Sequence, residues 1–357
     1  VLHAHGDTAI DLRDDVAAVG PDPAEVRVRI KATGVCHSDL SAMSGVLRTG
    51  LPAVLGHEGA GEVIEVGSQV TSVRPGDHVV ISWTPACGLC PECRRGQPYL
   101  CLTYVRQGFT KPRFTFADDI PAFGMAGTGT WAEELVLPWQ GAIRIDPDVP
   151  FELAALLGCG IPTGLGAVFN TAHVAPGSSV AVIGCGGVGL TVIQGARIAG
   201  AAKICAIDPL PHKHELARRF GATHTATPDA LDQAKIEVTG GQGFDYAFEV
   251  VGTGTAIRTA WQAARRGGDV IVVGAGAAGD MVGFSAFELL FHGKNILSSL
   301  YGGSDLGRDM RRFIDLWRAG KLDIEGLISR RIKFEQLNEA TAALSRGEVV
   351  RQVLTFD

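Results

Sequence analysis

The sequence has no excess of basic charge: 32 lysines and arginines face 38 aspartates and glutamates, a formal net charge of −6. That excludes the broad positive field that a nucleic-acid or anionic-membrane surface needs, so neither is expected as a partner. No apolar run is long enough to span a bilayer. No basic stretch leads into an apolar one at residues 1–4, so a secretory signal is not expected and the expected compartment is the cytoplasm. Internal repeats and low-complexity tracts are missing too; the 47 glycines fall at turns and strand–helix junctions. What remains is an ordinary globular composition, 46% apolar and 20% charged. At 357 residues the chain is too long for one typical core, and two domains are expected.

Cysteine is not scarce. It stands at Cys36, Cys87, Cys90, Cys93, Cys101, Cys159, Cys185 and Cys205, and four of these crowd between 87 and 101. In a chain without an export signal such a cluster reads as metal binding rather than as disulfides. Cys87-x-x-Cys90-x-x-Cys93 followed by Cys101 puts four thiolates on one loop, the donor set of a closed structural zinc. An iron–sulfur cluster or free thiols are the alternatives. Three further donors are scattered: Cys36 in Cys36-His37-Ser38-Asp39, His57 in Gly56-His57-Glu58-Gly59, and Cys159 between Gly158 and Gly160. Together they would make a Cys₂His set whose open fourth position suits a catalytic zinc. Spacing alone does not bring them together, and a lone buried cysteine is usually a small packing residue. Cys185 and Cys205 are read as packing residues.

Residues 25–32, 59–67 and 76–81 alternate like half-buried antiparallel strands, so a barrel-like antiparallel fold is expected first. From about Ile161 the texture changes to strand-like runs at 179–183, 203–207, 223–226, 245–250, 269–273 and 296–300 with helical runs between them. That rhythm implies a parallel sheet covered on both faces. Its first turn carries Gly184, Gly186 and Gly189 in G-x-G-x-x-G spacing, between a β-branched run and a helical run over 188–199. Asp208 ends the next strand. Strand, glycine turn, helix, strand and acid stand in the order that cradles a dinucleotide pyrophosphate and accepts hydrogen bonds from its ribose.

These motifs resemble the zinc-dependent alcohol dehydrogenases of the medium-chain dehydrogenase/reductase superfamily. The resemblance rests on Gly34-Val35-Cys36-His37-Ser38-Asp39, Gly56-His57-Glu58-Gly59-Ala60-Gly61, the ladder at 87–101, Gly158-Cys159-Gly160 and Gly184-Cys185-Gly186-Gly187-Val188-Gly189, in that order along nearly the whole chain. It implies an α/β protein, a Rossmann doubly wound sheet (161–300) inserted in a GroES-like, β-barrel-type catalytic domain (1–160 and 301–357) with a structural-zinc lobe at 87–101. The cofactors implied are NAD and two zinc ions per chain: one on Cys36, His57 and Cys159, and one on Cys87, Cys90, Cys93 and Cys101. The active site is expected in the cleft between the domains. Glu58 would lie behind the catalytic metal and Asp39 would hydrogen-bond a ligand. Gly184, Gly186, Gly187, Val188, Gly189, Asp208, Lys213, Val273 and Arg351 are the expected cofactor residues, Arg351 and His37 at the phosphates.

The activity implied is reversible hydride transfer between NAD and a primary alcohol (aliphatic, allylic or aromatic), giving the aldehyde. Zinc would lower the pKa of the alcohol. Ser38 would take its proton; Ser41 stands where several relatives carry a histidine, so the relay would end in water or at His37. Asp208 would repel a 2′-phosphate, which favours NAD. Trp83, Leu47, Met125, Ala275 and Leu300 are candidate pocket residues, with core packing as the other role for Trp83. Thiol-dependent formaldehyde dehydrogenation, acting on an S-hydroxymethyl adduct, is an alternative. So is a nicotinoprotein that keeps its NAD. A non-catalytic scaffold is disfavoured because all three scattered donors are present. A small alcohol or aldehyde is the expected partner, and a homodimer through 296–300 the expected assembly, with a tetramer as the other form.

Overall fold

Alternation from Glu25 onward makes a strand because one face of it is sealed: Val26, Val28, Ile30 and Ala32 are all 0% exposed. The computed structural model describes residues 1–356. The strand is Glu25–Val35, three residues longer than its alternation. Two strands share one of its edges. Glu134–Pro138 pairs with its first half, and Arg351–Thr355 with Ala32–Val35, which is buried on both faces and so shows no alternation. Gly59–Val66 lines the other edge. The resulting sheet runs Ile328–Ile332, Arg351–Thr355, Glu25–Val35, Gly59–Val66, His78–Ile81, Ala142–Arg144, antiparallel except at its first pair. A smaller sheet joins Val16–Ala18, Phe114–Phe116, Pro121–Gly124 and Ala53–Val54.

The chain divides into two units. The first holds residues 1–160, 305–318 and those from Ile324 on; the second holds 161–304 and 319–323. The second unit is built on a six-stranded parallel sheet: His224–Ala226, Lys203–Ile207, Ser179–Ile183, Phe244–Glu249, Ala264–Val272, Asn295–Ser298. Counting from Ser179–Ile183, the order is 3-2-1-4-5-6, the doubly wound Rossmann arrangement. Helices Gly187–Ile198, Pro211–Phe220, Leu231–Thr239 and Gly254–Ala263 connect its strands. Ala264–Val272 begins five residues before its apolar run. Arg265, Arg266, Gly267 and Gly268 carry no strand pattern, and the pairing there is set by Phe244↔Ala264 across a bulge. Strand order reverses beside Ser179–Ile183, so the glycine turn that follows this strand sits at the switch point where such sheets bind ligands.

Candidate metal centres and dinucleotide turn

Cys36 leaves the long strand and caps the helix His37–Ser44. The third helical residue, Asp39, is fully buried and turns back on the cap: its Oδ2 accepts from Cys36 N–H at 2.8 Å. Its Oδ1 accepts from Gly56 N–H at 3.2 Å and faces His57 Nδ1 at 3.1 Å. One carboxylate therefore fixes the backbone of one donor and the ring of another. With Nδ1 so engaged, His57 Nε2 is left buried without a hydrogen-bond partner. One ligand atom each from Cys36, His57 and Cys159 lies within 4.8 Å of the others, and all three residues are buried. A hydrogen bond from Cys159, with Arg351 and His57 behind it, holds the Cys36 thiol well below its usual range although burial opposes. Two thiols of which one ionises readily, plus an imidazole nitrogen with nothing to bind, fit a zinc ion with one position left open.

Behind the three donors lies a buried ion pair. Glu58, 0% exposed, accepts from Arg351 Nη1 at 3.0 Å through Oε1 and from Gly160 N–H at 3.3 Å through Oε2. Burial pushes the Glu58 carboxyl up to about 7 against the pull of Arg351. A Cβ at Gly160 would come within 2.3 Å of Arg351 Nη2, so any side chain beside Cys159 would displace the guanidinium. The guanidinium of Arg351, the residue expected at the cofactor phosphates, is 5% exposed and paired with Glu58; the register Gln352↔Val35 delivers it to the Cys36 end of the long strand.

His37 is exposed; Ser38 and Ser41 are half-buried on the same helix. Trp83 is half-buried with its ring edge-on to His57, centroids 6.4 Å apart, and Leu47 is half-buried just past the helix. Met125, a candidate pocket residue, is 6% exposed and belongs to the buried cluster that holds Leu2, Val35, Leu55 and Trp131. Leu300 belongs to the second unit and is 48% exposed.

The ladder closes on itself. The four sulfurs of Cys87, Cys90, Cys93 and Cys101 lie within 4.8 Å of one another, and all four thiols are free. Cys87 and Cys93 Sγ are 4.0 Å apart. Tetrahedral Zn–S bonds of about 2.3 Å put neighbouring sulfurs about 3.8 Å apart, so the spacing fits zinc. Thr103 Oγ1, Leu89 N–H and Cys90 N–H donate to Cys87 Sγ at 3.3–3.4 Å. The Thr103 bond and then the backbone bonds lower this thiol to about 6, which favours the thiolate that zinc binds.

In the second unit Gly184 adopts φ +99°, and a Cβ on Gly189 would meet Gly184 O at 1.9 Å, so strand, turn and helix close only with glycine there. Gly186 caps the helix that Gly187, Val188 and Gly189 open, and gives its N–H groups no side-chain cap. Asp208 is 3% exposed and clamps the same turn: Oδ2 accepts from Cys185 N–H and Oδ1 from Leu210 N–H, with Lys213 Nζ 3.8 Å away. Val273 follows the fifth strand and donates to Glu249 O. Glu249 went unnoticed at the level of sequence. This fully buried carboxylate ends the strand next to the glycine turn and accepts from Val251 and Gly252 N–H at 2.7 and 2.6 Å. The available signal was an acid closing the apolar run Tyr246-Ala247-Phe248.

A thiolate–imidazole metal site in one unit and a dinucleotide turn in the other define a zinc-dependent nicotinamide dehydrogenase. Two family models match the chain: an alcohol dehydrogenase GroES-like domain over 22–147 and a zinc-binding dehydrogenase over 187–318. An alcohol dehydrogenase class-3 of Cereibacter sphaeroides is 38% identical over 360 residues, covering 96% of this chain and 95% of that one. An S-(hydroxymethyl)glutathione dehydrogenase of Escherichia coli is 37% identical over 354 residues, with the same coverage. The solved benzyl alcohol dehydrogenase of Acinetobacter calcoaceticus superposes with a TM-score of 0.87 at 30% identity, over 96% of this chain and 94% of that one. The chain belongs to the zinc-dependent alcohol dehydrogenases of the medium-chain dehydrogenase/reductase superfamily. It is an oxidoreductase whose cofactors are NAD and zinc, with the GroES-like and Rossmann folds of that family.

Proposed function

We propose that this dehydrogenase oxidises the S-hydroxymethyl adduct of formaldehyde with a small thiol. RSCH₂OH and NAD⁺ would give RSCHO, NADH and a proton. The observation that carries the reading is the likeness, over 96% of the chain, to relatives named for class-3 and S-(hydroxymethyl)glutathione dehydrogenation.

Zinc held by Cys36, His57 and Cys159 supplies a Lewis acid that makes an alcohol proton easier to remove. Asp39 holds the His57 ring with Nε2 toward the metal position and fixes the Cys36 backbone. Arg351 neutralises Glu58 behind the two thiols, so their negative charge meets a cation rather than a second anion. Ser38, in the first turn after Cys36, accepts the alcohol proton, and exposed His37 and solvent complete its path. In the second unit Asp208 orders the glycine turn, and its negative charge at the end of the second strand would repel a 2′-phosphate and favour NAD.

Oxidation of an aromatic primary alcohol is the second reading. It is favoured by the Trp83 ring beside His57 and by the likeness to the benzyl alcohol dehydrogenase. Zinc-loaded enzyme assayed with NAD on formaldehyde plus glutathione or mycothiol, formaldehyde alone, and benzyl alcohol separates the two. The first reading requires a kcat/KM for the adduct at least about tenfold above benzyl alcohol, a difference of about 1.4 kcal/mol, and an absolute need for thiol. A higher value for benzyl alcohol would establish the second. NAD that survives exhaustive dialysis would identify a nicotinoprotein.

Two copies would pair through the Asn295–Ser298 edge. That strand exposes Ile296, and the helix Ala286–His292 before it exposes Phe287 and Leu290 at 66% and 74%. No helix among the described residues is long and apolar enough to cross a membrane. A cytoplasmic setting would keep the eight cysteines, none of them in a disulfide, reduced.

A further inference from the structure

A cavity of about 510 Å³ in the second unit is a groove across the helix Gly254–Ala263, flanked by Leu231–Thr239 and Ala286–His292. Its volume lies in the range of small-molecule sites. Its chemistry differs from that of the dinucleotide turn. Four cations line it: Lys235, Arg258, Arg266 and Lys294.

The acids beside them leave this charge largely unanswered. Asp232 reaches Lys235 only at 3.5 Å, from a side chain 91% exposed. Asp229 is exposed at the rim. Glu288 is already committed, accepting from Arg258 Nη2 at 2.9 Å, Trp261 Nε1 at 3.0 Å and the backbone of Ser285. Arg266 and Lys294 have no carboxylate within salt-bridge reach among the described residues. Each donates to a backbone carbonyl instead, Arg266 to Phe291 O and Lys294 to Trp261 O. Two buried nitrogens on the lining, Arg258 Nη1 and His292 Nδ1, have no hydrogen-bond partner.

Lys294 shows what the arrangement costs. Its ammonium lies 5.0 Å over the Trp261 ring, and burial, with Lys235 and Arg258 adding to it and Glu288 opposing, lowers its pKa to about 8. A half-buried cation short of counter-charge is stabilised by any anion that enters. Guanidinium forks match phosphate oxygens two at a time, which a lone carboxylate uses less fully.

We propose that this groove is a second ligand site of the Rossmann unit, one that binds a small phosphate-bearing anion separately from the dinucleotide. Arg258 Nη1, Arg266 and the Lys294 ammonium are its donors, and His292 completes the wall.

The test uses the zinc-loaded full chain with saturating NAD, so that the glycine turn is already filled. Inorganic phosphate is titrated calorimetrically at constant ionic strength against chloride, with succinate as a second probe. Saturable phosphate binding at one site per chain is expected, weakened at least about tenfold by Arg266→Gln and by Lys294→Met, while kcat and the KM for NAD stay at wild-type values. Arg266 is exposed, so Arg266→Gln carries the test should Lys294→Met fail to fold. No saturable binding at millimolar phosphate, tighter binding of succinate, affinity indifferent to Arg266→Gln, or binding abolished by NAD would each overturn the proposal.

Discussion

Replacing Asp39 by asparagine asks whether one buried carboxylate holds the proposed catalytic metal in place. Asp39 receives three N–H groups, from Cys36, Gly56 and the His57 ring, at 2.8, 3.2 and 3.1 Å, and is fully buried. Asparagine keeps the shape but offers one acceptor oxygen and a donor NH₂. Whichever way the amide lies, at least one of the three N–H groups then faces a donor. An unpaired buried polar group costs about 1–3 kcal/mol. If the misdirected group is the His57 ring, the imidazole also loses the partner that fixes its tautomer. Loss of such a partner costs about 10–100-fold in metal affinity, or about 1.4–2.7 kcal/mol. Both routes give the same order of magnitude.

The assay is zinc transfer to a chromophoric chelator, read alongside kcat/KM. Wild-type protein should release two zinc ions per chain in two phases. Asp39→Asn should shift only one phase, by about 10–100-fold in chelator concentration, with activity falling in step. The cysteine ladder shares no residue with Asp39 and serves as internal control. Unshifted release of both ions with kcat/KM within about twofold of wild type would refute the reasoning; a shift of both phases would mean global unfolding rather than a loosened ligand.

Glu58→Ala leaves the buried Arg351 guanidinium without its carboxylate and should cost about 3–5 kcal/mol in chemical denaturation; the double variant Glu58→Gln/Arg351→Met should lose clearly less than the sum of its singles, and strict additivity would dissolve the pair. Asp208→Ser should raise the NADP/NAD ratio of kcat/KM by at least about tenfold and also weaken NAD, because the clamp on Cys185 and Leu210 is lost; an unchanged ratio would remove Asp208 from cofactor choice. Burial works against the Glu25 carboxylate, but Lys111 and Arg113 outweigh it and hold its pKa below 4.5. Its stabilisation is therefore present above that value and lost as pH falls through the folded-state pKa, so Glu25→Gln should flatten the acid limb of stability against pH. Equal slopes in the two proteins would count against it.

How much of this was legible in the sequence depended on how far apart the cooperating residues lie along the chain. The ladder and the glycine turn are local: their donors and glycines fall within fifteen or so residues, and spacing alone constrains them. Cys36 and His57 become neighbours through a pairing, Thr33↔Gly59, that sets the ends of two strands side by side. The sequence shows both strands but not that register. Pocket walls were the least readable, because an apolar side chain such as Met125, which sits in a buried cluster, looks the same in sequence whether it lines a cavity or fills a core.

Arg351 is the sharpest case, and it carries a structural consequence. Val35 pairs with Gln352, so Arg351 arrives next to Cys36 from a strand more than three hundred residues away. Side chains alternate across a strand, so a slip of one residue would turn the guanidinium to the other face and strand Glu58 in an apolar interior. Gly160 reinforces the point, since only a residue without a Cβ lets Arg351 lie where it does. The last strand is thus held in register by charge at the metal site as much as by Val353 and Leu354 in the core. The electrostatics behind Cys36 and Cys159 and the closure of the first unit's sheet depend on each other.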